Sequence, residues 1–235
     1  MNASARADGV GWDTEPTVAS WPGQSQLDGD RTADACVVGL GGSGLAAVAA
    51  LLERGLSVVG VDAGRVAAGA AGRNGGFLLG GPALFLHDAI ARWGEDAAVG
   101  LYRATLRELD DLAAALGPDV VRRVGSIRLA GLPGEPRSAA EAADREREIA
   151  DCAAHEKALR AHGIAVEHYE GPLGRGIFLP EDAAMNPARR ALGLVKLCAR
   201  QDRAELYEHT PVTRVGAGRF VTEHGTARAS TVIVA

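Results

Sequence analysis

The chain has 235 residues, 47% of them apolar and 23% charged, with a formal net charge of -5. That balance suits a globular protein of one or two domains, and an acidic chain with only 4% aromatic residues lacks the basic, stacking surfaces that nucleic-acid binding requires. Three cysteines far apart, Cys36, Cys152 and Cys198, match no metal-ligand spacing, so they are expected to be free core residues in a reducing, cytoplasmic setting.

Residues 1–32 are rich in Gly, Asp, Ser and Pro and carry two isolated tryptophans, Trp12 and Trp21. They read as an irregular leader pinned to the surface by those rings, with no apolar stretch of signal-peptide type. The character changes at Ala33. Ala35-Cys36-Val37-Val38 is a short apolar strand that runs into Gly39-Leu40-Gly41-Gly42-Ser43-Gly44. A helix over 45–54 follows, rich in Ala and Leu and stopped by Gly55. Ser57-Val58-Val59-Gly60-Val61 is a second strand, ending at Asp62. The apolar run 35–52 is too interrupted by glycine for a membrane span and predicts a buried strand, turn and helix. Strand, glycine turn, helix and strand in this order make a βαβ unit, and apolar strands of this kind suit a parallel sheet.

A pyrophosphate needs backbone N–H groups and a helix N-terminus aimed at it, with no Cβ in the way. Gly39 is placed to make the tight turn, Gly41 to let the backbone approach the phosphates, and Gly44 to let helix and strand pack closely. Asp62, at the tip of the second strand, is placed to accept hydrogen bonds from ribose hydroxyls and repels a 2′-phosphate, which disfavours NADP. NAD and FAD share this fingerprint, so the loop alone leaves both open.

Residues 63–82 are dominated by Gly and Ala and fit neither a regular helix nor a strand. A helix is predicted over 95–116, with Tyr102, Leu106, Leu109, Ala113 and Leu116 as one apolar stripe. Residues 125–130 read as a short strand, and 138–162 as a charged helix ended by Gly163, most of its charges forming a solvated face. Asn186-Pro187 is an N-cap and N1 pair for a helix reaching Arg203. Strands are predicted over 212–215, 219–222 and 231–234, and because the sequence stops directly after the last, it is expected to be part of something longer.

Other constellations carry little chemistry. Six histidines are scattered without ligand spacing, so no metal site is expected. Ser43 is no nucleophile elbow, because Gly42 and Gly44 flank it directly. Glu108, Asp110 and Asp111 lie off the apolar stripe and read as solvated. No catalytic residue stands out.

The stretch 33–76 resembles the N-terminal region of FAD-dependent oxidoreductases of the D-amino-acid oxidase and glycine oxidase family. The resemblance rests on Ala33-Asp34-Ala35-Cys36-Val37-Val38-Gly39-Leu40-Gly41-Gly42-Ser43-Gly44, on Val61-Asp62-Ala63-Gly64-Arg65, and on Gly69-Ala70-Ala71-Gly72-Arg73-Asn74-Gly75-Gly76. The last block, similar to the family's Gly-Ala-Ser-Gly-Arg-Asn-Gly-Gly, is the most specific. Fainter likeness continues through Gly125-Ser126-Ile127-Arg128-Leu129-Ala130, Thr210-Pro211-Val212 and Thr231-Val232-Ile233-Val234-Ala235.

This resemblance implies an α/β fold, a Rossmann-like FAD-binding domain with an α+β substrate-side portion. The implied organisation is a leader over 1–32, an FAD-binding segment over 33–90, a helical and substrate-side portion over 91–185, and a return to the FAD-binding domain over 186–235, incomplete at its C-terminus. FAD is the implied cofactor, held by Gly39, Gly41, Gly42, Ser43, Gly44, Asp62, Ala63 and Arg65, by Gly72, Arg73, Asn74, Gly75 and Gly76 along the flavin, and by Val212. Backbone N–H groups of the 72–76 loop would raise the flavin's potential by stabilising negative charge on its reduced ring. The implied reaction oxidises the C–N bond of an amino acid or related amine, with hydride passing to FAD and the imine then hydrolysing. The implied partners are that small molecule and a second chain supplying the missing C-terminal part, with no nucleic acid and no membrane span. Two departures stand out: Asp62 where the family more often has Glu, and family chains that continue well beyond residue 235. An NAD-dependent dehydrogenase and an inactive or split flavin-binding fragment are the alternative readings.

Overall fold

The computed structural model describes residues 11–12, 14–131 and 134–235; the first ten residues of the expected leader, and position 13, lie outside the described residues. Two compact units divide the chain: one runs to Gly76 and resumes over Asn186–Ala235, the other is Phe77–Met185.

The first unit opens with α1 (Pro16–Ala19), β1 (Arg31–Thr32), β2 (Ala35–Val38), α2 (Gly42–Glu53) and β3 (Val58–Val61). The strand–helix–strand order read from the sequence is present. β2 and β3 pair in parallel with Val37 opposite Gly60. α2 begins at Gly42 rather than 45, because the glycine turn already closes a helical turn through the Leu45 N–H to Gly41 oxygen bond of 3.0 Å. Its end, with Arg54 as C-cap and Gly55 at φ +80°, is the expected one.

The second unit follows with β4 (Phe77–Leu78), α3 (Leu86–Trp93), α4 (Glu95–Leu116), β5 (Val121–Arg122), β6 (Ser126–Leu129), α5 (Ala139–Ala161), β7 (Glu167–Gly171), β8 (Gly174–Leu179) and β9 (Ala183–Met185). It holds two antiparallel three-stranded sheets, β4-β9-β5 and β6-β8-β7. α4 has the predicted limits, but the fully buried residues of its stripe are Ala98, Val99, Tyr102, Leu109 and Leu112, with Leu106 and Ala113 only half-buried. α5 is capped as expected: the Ser138 hydroxyl accepts from Glu141 N–H at 3.1 Å. Leu86, Ala89, Tyr102, Leu159, Ile177 and Leu179 form the core of this unit.

The chain returns through α6 (Pro187–Ala199), β10 (Ala204–Tyr207), β11 (Arg214–Gly216), β12 (Arg219–Val221), β13 (Thr226–Arg228) and β14 (Thr231–Val234). Asn186 caps α6, its side chain accepting from Arg189 N–H at 3.0 Å, as predicted. The helix stops at Ala199, short of the expected Arg203, because Gln201 N–H turns back to Cys198 oxygen at 3.0 Å and Ala204 N–H to Gln201 oxygen at 2.9 Å, leading into β10. β10 was not anticipated; it lies parallel to β3, Leu206 opposite Gly60. The strand expected over 212–215 starts at Arg214, since Thr213 makes the first bond to β12, at 2.8 Å through Val221 oxygen.

The resulting central sheet of the first unit is parallel throughout, in the order β10-β3-β2-β14. Alternate residues face opposite sides. Val37, Val58 and Leu206 pack with Leu45, Val48 and Leu52 of α2 and Leu192 and Val195 of α6. Cys36, Val59, Val61 and Tyr207 pack with Phe220 and Ala227, which belong to the second sheet of the unit, β1-β13-β12-β11. Both faces are therefore covered, which is why these strands are apolar along their length.

Candidate functional site

The carboxyl ends of β2 and β3 are adjacent in a parallel sheet, the place where open α/β sheets bind ligands. After Val38 the chain bends through Gly39 at φ +98°, whose N–H donates to Val61 oxygen at 2.8 Å. Gly44 is buried so tightly that a Cβ there would stand 1.8 Å from Gly39 oxygen. Gly41, the N-cap of α2, has nothing within 4 Å of the place its Cβ would take, and no side chain caps the helix. The first-turn amides at Gly42, Ser43 and Gly44 are the ones a helix cannot satisfy internally, and they carry the positive end of its dipole. Ser43 is exposed on that turn. The result is an open cradle of backbone donors over the glycine turn, which fits a pyrophosphate.

Asp62 stands half-buried at the tip of β3. Its Oδ2 accepts from Leu40 N–H and its Oδ1 from Gly64 N–H, both at 2.9 Å. The carboxylate thus ties the glycine turn to the loop after β3, keeping a lone pair on each oxygen for a further donor. Ala63 is exposed beside it. Arg65 turns the other way, its guanidinium donating to the Val18 carbonyl of α1.

The block 72–76 follows a short 3-10 turn, Ala70–Gly72, which packs against α6. Gly72 is buried, and a Cβ would stand 2.1 Å from Ala67 oxygen. Asn74 organises the loop: its amide nitrogen donates to Ala70 oxygen at 3.1 Å, and its Oδ1 accepts from Gly76 N–H at 2.9 Å. Arg73 and Gly75 are exposed, and the Trp12 indole donates to Asn74 oxygen at 2.9 Å, so one of the two leader tryptophans does reach this loop. Val212 lies on the loop after β10, half-buried against the Phe220 cluster. That loop is joined to Asp62 by Thr210 N–H to Asp62 oxygen at 2.8 Å.

Glu208 escaped the sequence reading. It is fully buried at the end of β10 and accepts from Val66 N–H and Gln24 N–H, each at 2.6 Å, and from the Trp21 indole at 3.2 Å. One carboxylate therefore fastens the leader to the loop after β3. Glu15 forms a second fastening with Arg189 of α6, whose guanidinium holds the Glu15 carboxyl at about 2, well below the usual range. Arg190 places a guanidinium nitrogen 3.8 Å from where a Gly42 Cβ would be, beside the open cradle. The signal for Glu208 was a charged residue closing an apolar strand, visible only once β10 is recognised.

A family description of FAD-dependent oxidoreductases, DAO, matches residues 34–235. The chain belongs to this family. FAD is accordingly its cofactor, not a nicotinamide, and the open cradle and the Asp62 tip suit the adenosine diphosphate half of that molecule. Among curated relatives, the probable oxidoreductase OrdL of Haemophilus influenzae is 25% identical over 206 residues, covering 85% of this chain and 47% of the relative. Gamma-glutamylputrescine oxidoreductase of Escherichia coli is 32% identical over 105 residues, covering 45% of this chain and 19% of the relative. Among solved structures, an L-amino acid deaminase from Proteus vulgaris has a TM-score of 0.65 at 18% identity, over 90% of this chain and 49% of the other. A glycine oxidase from Geobacillus kaustophilus has a TM-score of 0.59 at 22% identity, over 87% and 55%. These two share the fold. The chain spans about half the length of the first curated relative, 47%. In each of these proteins the matched region is part of one longer chain, which lends no support to the expected second chain.

Among the described residues, no group of three or more His, Cys, Asp or Glu side chains could hold a metal ion, and no helix is long and apolar enough to cross a membrane. The three cysteines are free and buried, and burial pushes the Cys36 thiol up to about 11.

Proposed function

We propose that this DAO-family chain binds FAD through the β2–α2 turn and acts in the oxidation of the C–N bond of an amino acid or related amine. The observation that carries the reading is the uncapped N-terminus of α2, open above Gly41 and closed below Gly44, beside the Asp62 tip of the next parallel strand. Gly41, Gly42, Ser43 and Gly44 bind the pyrophosphate with backbone donors, and Asp62 and Ala63 face the adenosine ribose. Gly72, Arg73, Asn74, Gly75 and Gly76 run along the flavin, Asn74 holding the loop's shape and Gly75 leaving its backbone open. Val212 lies toward the adenine. Arg65 acts by anchoring the leader rather than by touching the nucleotide, as its bond to Val18 suggests.

When bound, the flavin supplies the hydride acceptor that turns the substrate's C–N bond into an imine, which water then hydrolyses. The residues of this chain contribute binding, orientation and fixed N–H dipoles near the ring. The similarity to an L-amino acid deaminase, a glycine oxidase and a gamma-glutamylputrescine oxidoreductase, whose names state amino-acid or amine substrates, supports the substrate class.

The test is a visible absorbance spectrum of the purified chain before and after FAD is added and the excess removed. Retained, structured flavin bands support the reading, and an amine panel scored by bleaching of those bands then tests the substrate class. A folded chain that stays colourless and takes up no FAD would overturn the binding assignment.

A further inference from the structure

Residues 14–27, with Trp12 ahead of them, form a strap across the first unit, and its fastenings fall on the loops that carry the expected nucleotide residues. At one end the Trp12 indole donates to Asn74 oxygen at 2.9 Å, inside the 72–76 block. In the middle the Val18 carbonyl accepts from the Arg65 guanidinium. Glu15 pairs there with Arg189 of α6, the helix against which the Ala70–Gly72 turn packs. At the other end Leu27 N–H donates to the Thr210 hydroxyl oxygen at 3.1 Å. Val18 and Leu27 are 1% and 0% exposed, so apolar burial holds the strap down as well as these bonds.

The loop beneath the strap is one that must be held. Ala67 has φ +68°, a left-handed conformation that the Cβ of an alanine disfavours and that persists only where the surroundings fix it. Ala67 lies in the same buried cluster as Val18 and Val66, and Trp12 and Trp21 pack against that cluster. Gly72 in turn rests on Ala67, since a Cβ on Gly72 would stand 2.1 Å from Ala67 oxygen. The strained turn therefore sets where the 72–76 loop begins, and Trp12 holds the loop further along at Asn74. The phosphate turn does not depend on this end of the strap: Gly39 N–H is held by Val61 oxygen at 2.8 Å, and Gly44 lies against Gly39.

We propose that the strap is a positioning device for the flavin end of the cofactor, Trp12 and Glu15 keeping the 72–76 loop in the shape that receives the ring. The proposal rests on the FAD reading above, but the hold on the loop exists without the cofactor and can be measured without it.

The experiment titrates the full chain with FAD and with ADP by calorimetry, and follows hydrogen exchange of the 72–76 amides with no nucleotide added. ADP reads the phosphate turn alone. Trp12→Phe keeps a ring on the cluster and removes the N–H given to Asn74; it is expected to weaken FAD by about threefold with ADP unchanged. Trp12→Ala removes the ring too, and is expected to weaken FAD by about tenfold, again with ADP unchanged. It is also expected to speed exchange of the loop amides while those of β3 keep their protection. Glu15→Gln loses the charge pair with Arg189 but keeps an acceptor for Val18 N–H; it should show the same pattern and serves if Trp12→Ala does not fold. Equal loss of FAD and ADP, or full FAD affinity in both Trp12→Ala and Glu15→Gln, would overturn the proposal. So would weakened FAD with unaltered loop exchange, which would mean that Trp12 meets the flavin itself. A parent chain that takes up no FAD fails the FAD reading instead. The exchange comparison then decides the strap: faster loop exchange in the variants supports it, and unchanged exchange overturns it.

Discussion

An added methyl group meets opposite surroundings at two glycines of the same turn. At Gly44 it would collide with Gly39 oxygen at 1.8 Å, backbone against backbone, with no flexible side chain to give way. Gly44→Ala is therefore expected to cost about 2 kcal/mol or more in urea unfolding and to abolish FAD uptake with it. At Gly41 the space is empty and the backbone, at φ -76°, suits any residue. Gly41→Ala is expected to change stability by less than about 0.5 kcal/mol while weakening FAD by about tenfold or more, because its methyl occupies the cradle. A flavin titration in which Gly41→Ala binds as tightly as the parent would remove the pyrophosphate from that turn. Glu208 is a third kind of residue, important to the fold through what it accepts. Glu208→Ala would leave the Val66, Gln24 and Trp21 donors unsatisfied in the interior, at roughly 3 to 5 kcal/mol. Chemical denaturation followed by tryptophan fluorescence reports both the loss and the release of Trp21, and a cost under about 1 kcal/mol would show that other contacts hold the leader.

Among the elements, α3 depends on a cap that comes from far away. Its own N-cap residue, Phe85, offers no side-chain acceptor, and the Leu86 N–H is taken by His155, 69 positions later on α5. Burial, then the positive charge of Arg128 and the neighbouring His87, lower the His155 pKa from 6.5 to about 4, with Asp88 opposing. Unfolded, the ring takes a proton below about 6.5; folded, it resists until about 4. The cap's contribution is thus complete above that range and is lost as the pH falls through it, by about 3 kcal/mol. Paired unfolding curves at about pH 7.5, above this window, and about pH 4.5, near its lower end, should show the parent losing more stability than His155→Asn, whose amide oxygen can still accept from Leu86. Parallel pH slopes for the two would dismiss the effect. The same distance explains what the sequence hid. Ser138, Asn186 and Gly163 announced α5 and α6 because a cap is local chemistry. α3 carried no such mark at its N-terminus, and β10 and β13 are identified by the strands they join, β3 and β12, rather than by anything within their own few residues.

For the molecule as a whole, the glycine turn, Asp62 and the 72–76 block were legible because each is a short run whose backbone demands are written in its own residues. The leader's attachments were not, since Glu208 reaches Trp21 and Val66 across 187 and 142 positions. Neither was the arrangement of the sheets: β14 reads from sequence as one more apolar strand, but nothing within its four residues says that its neighbour is β2, where Val232 stands opposite Cys36. That pairing is decided by packing across the unit: Cys36 and Val232 meet the cluster around Phe220, whose residues come from β12 and β13 as well as the central sheet, and the partner of a parallel strand is chosen by which face must be buried there.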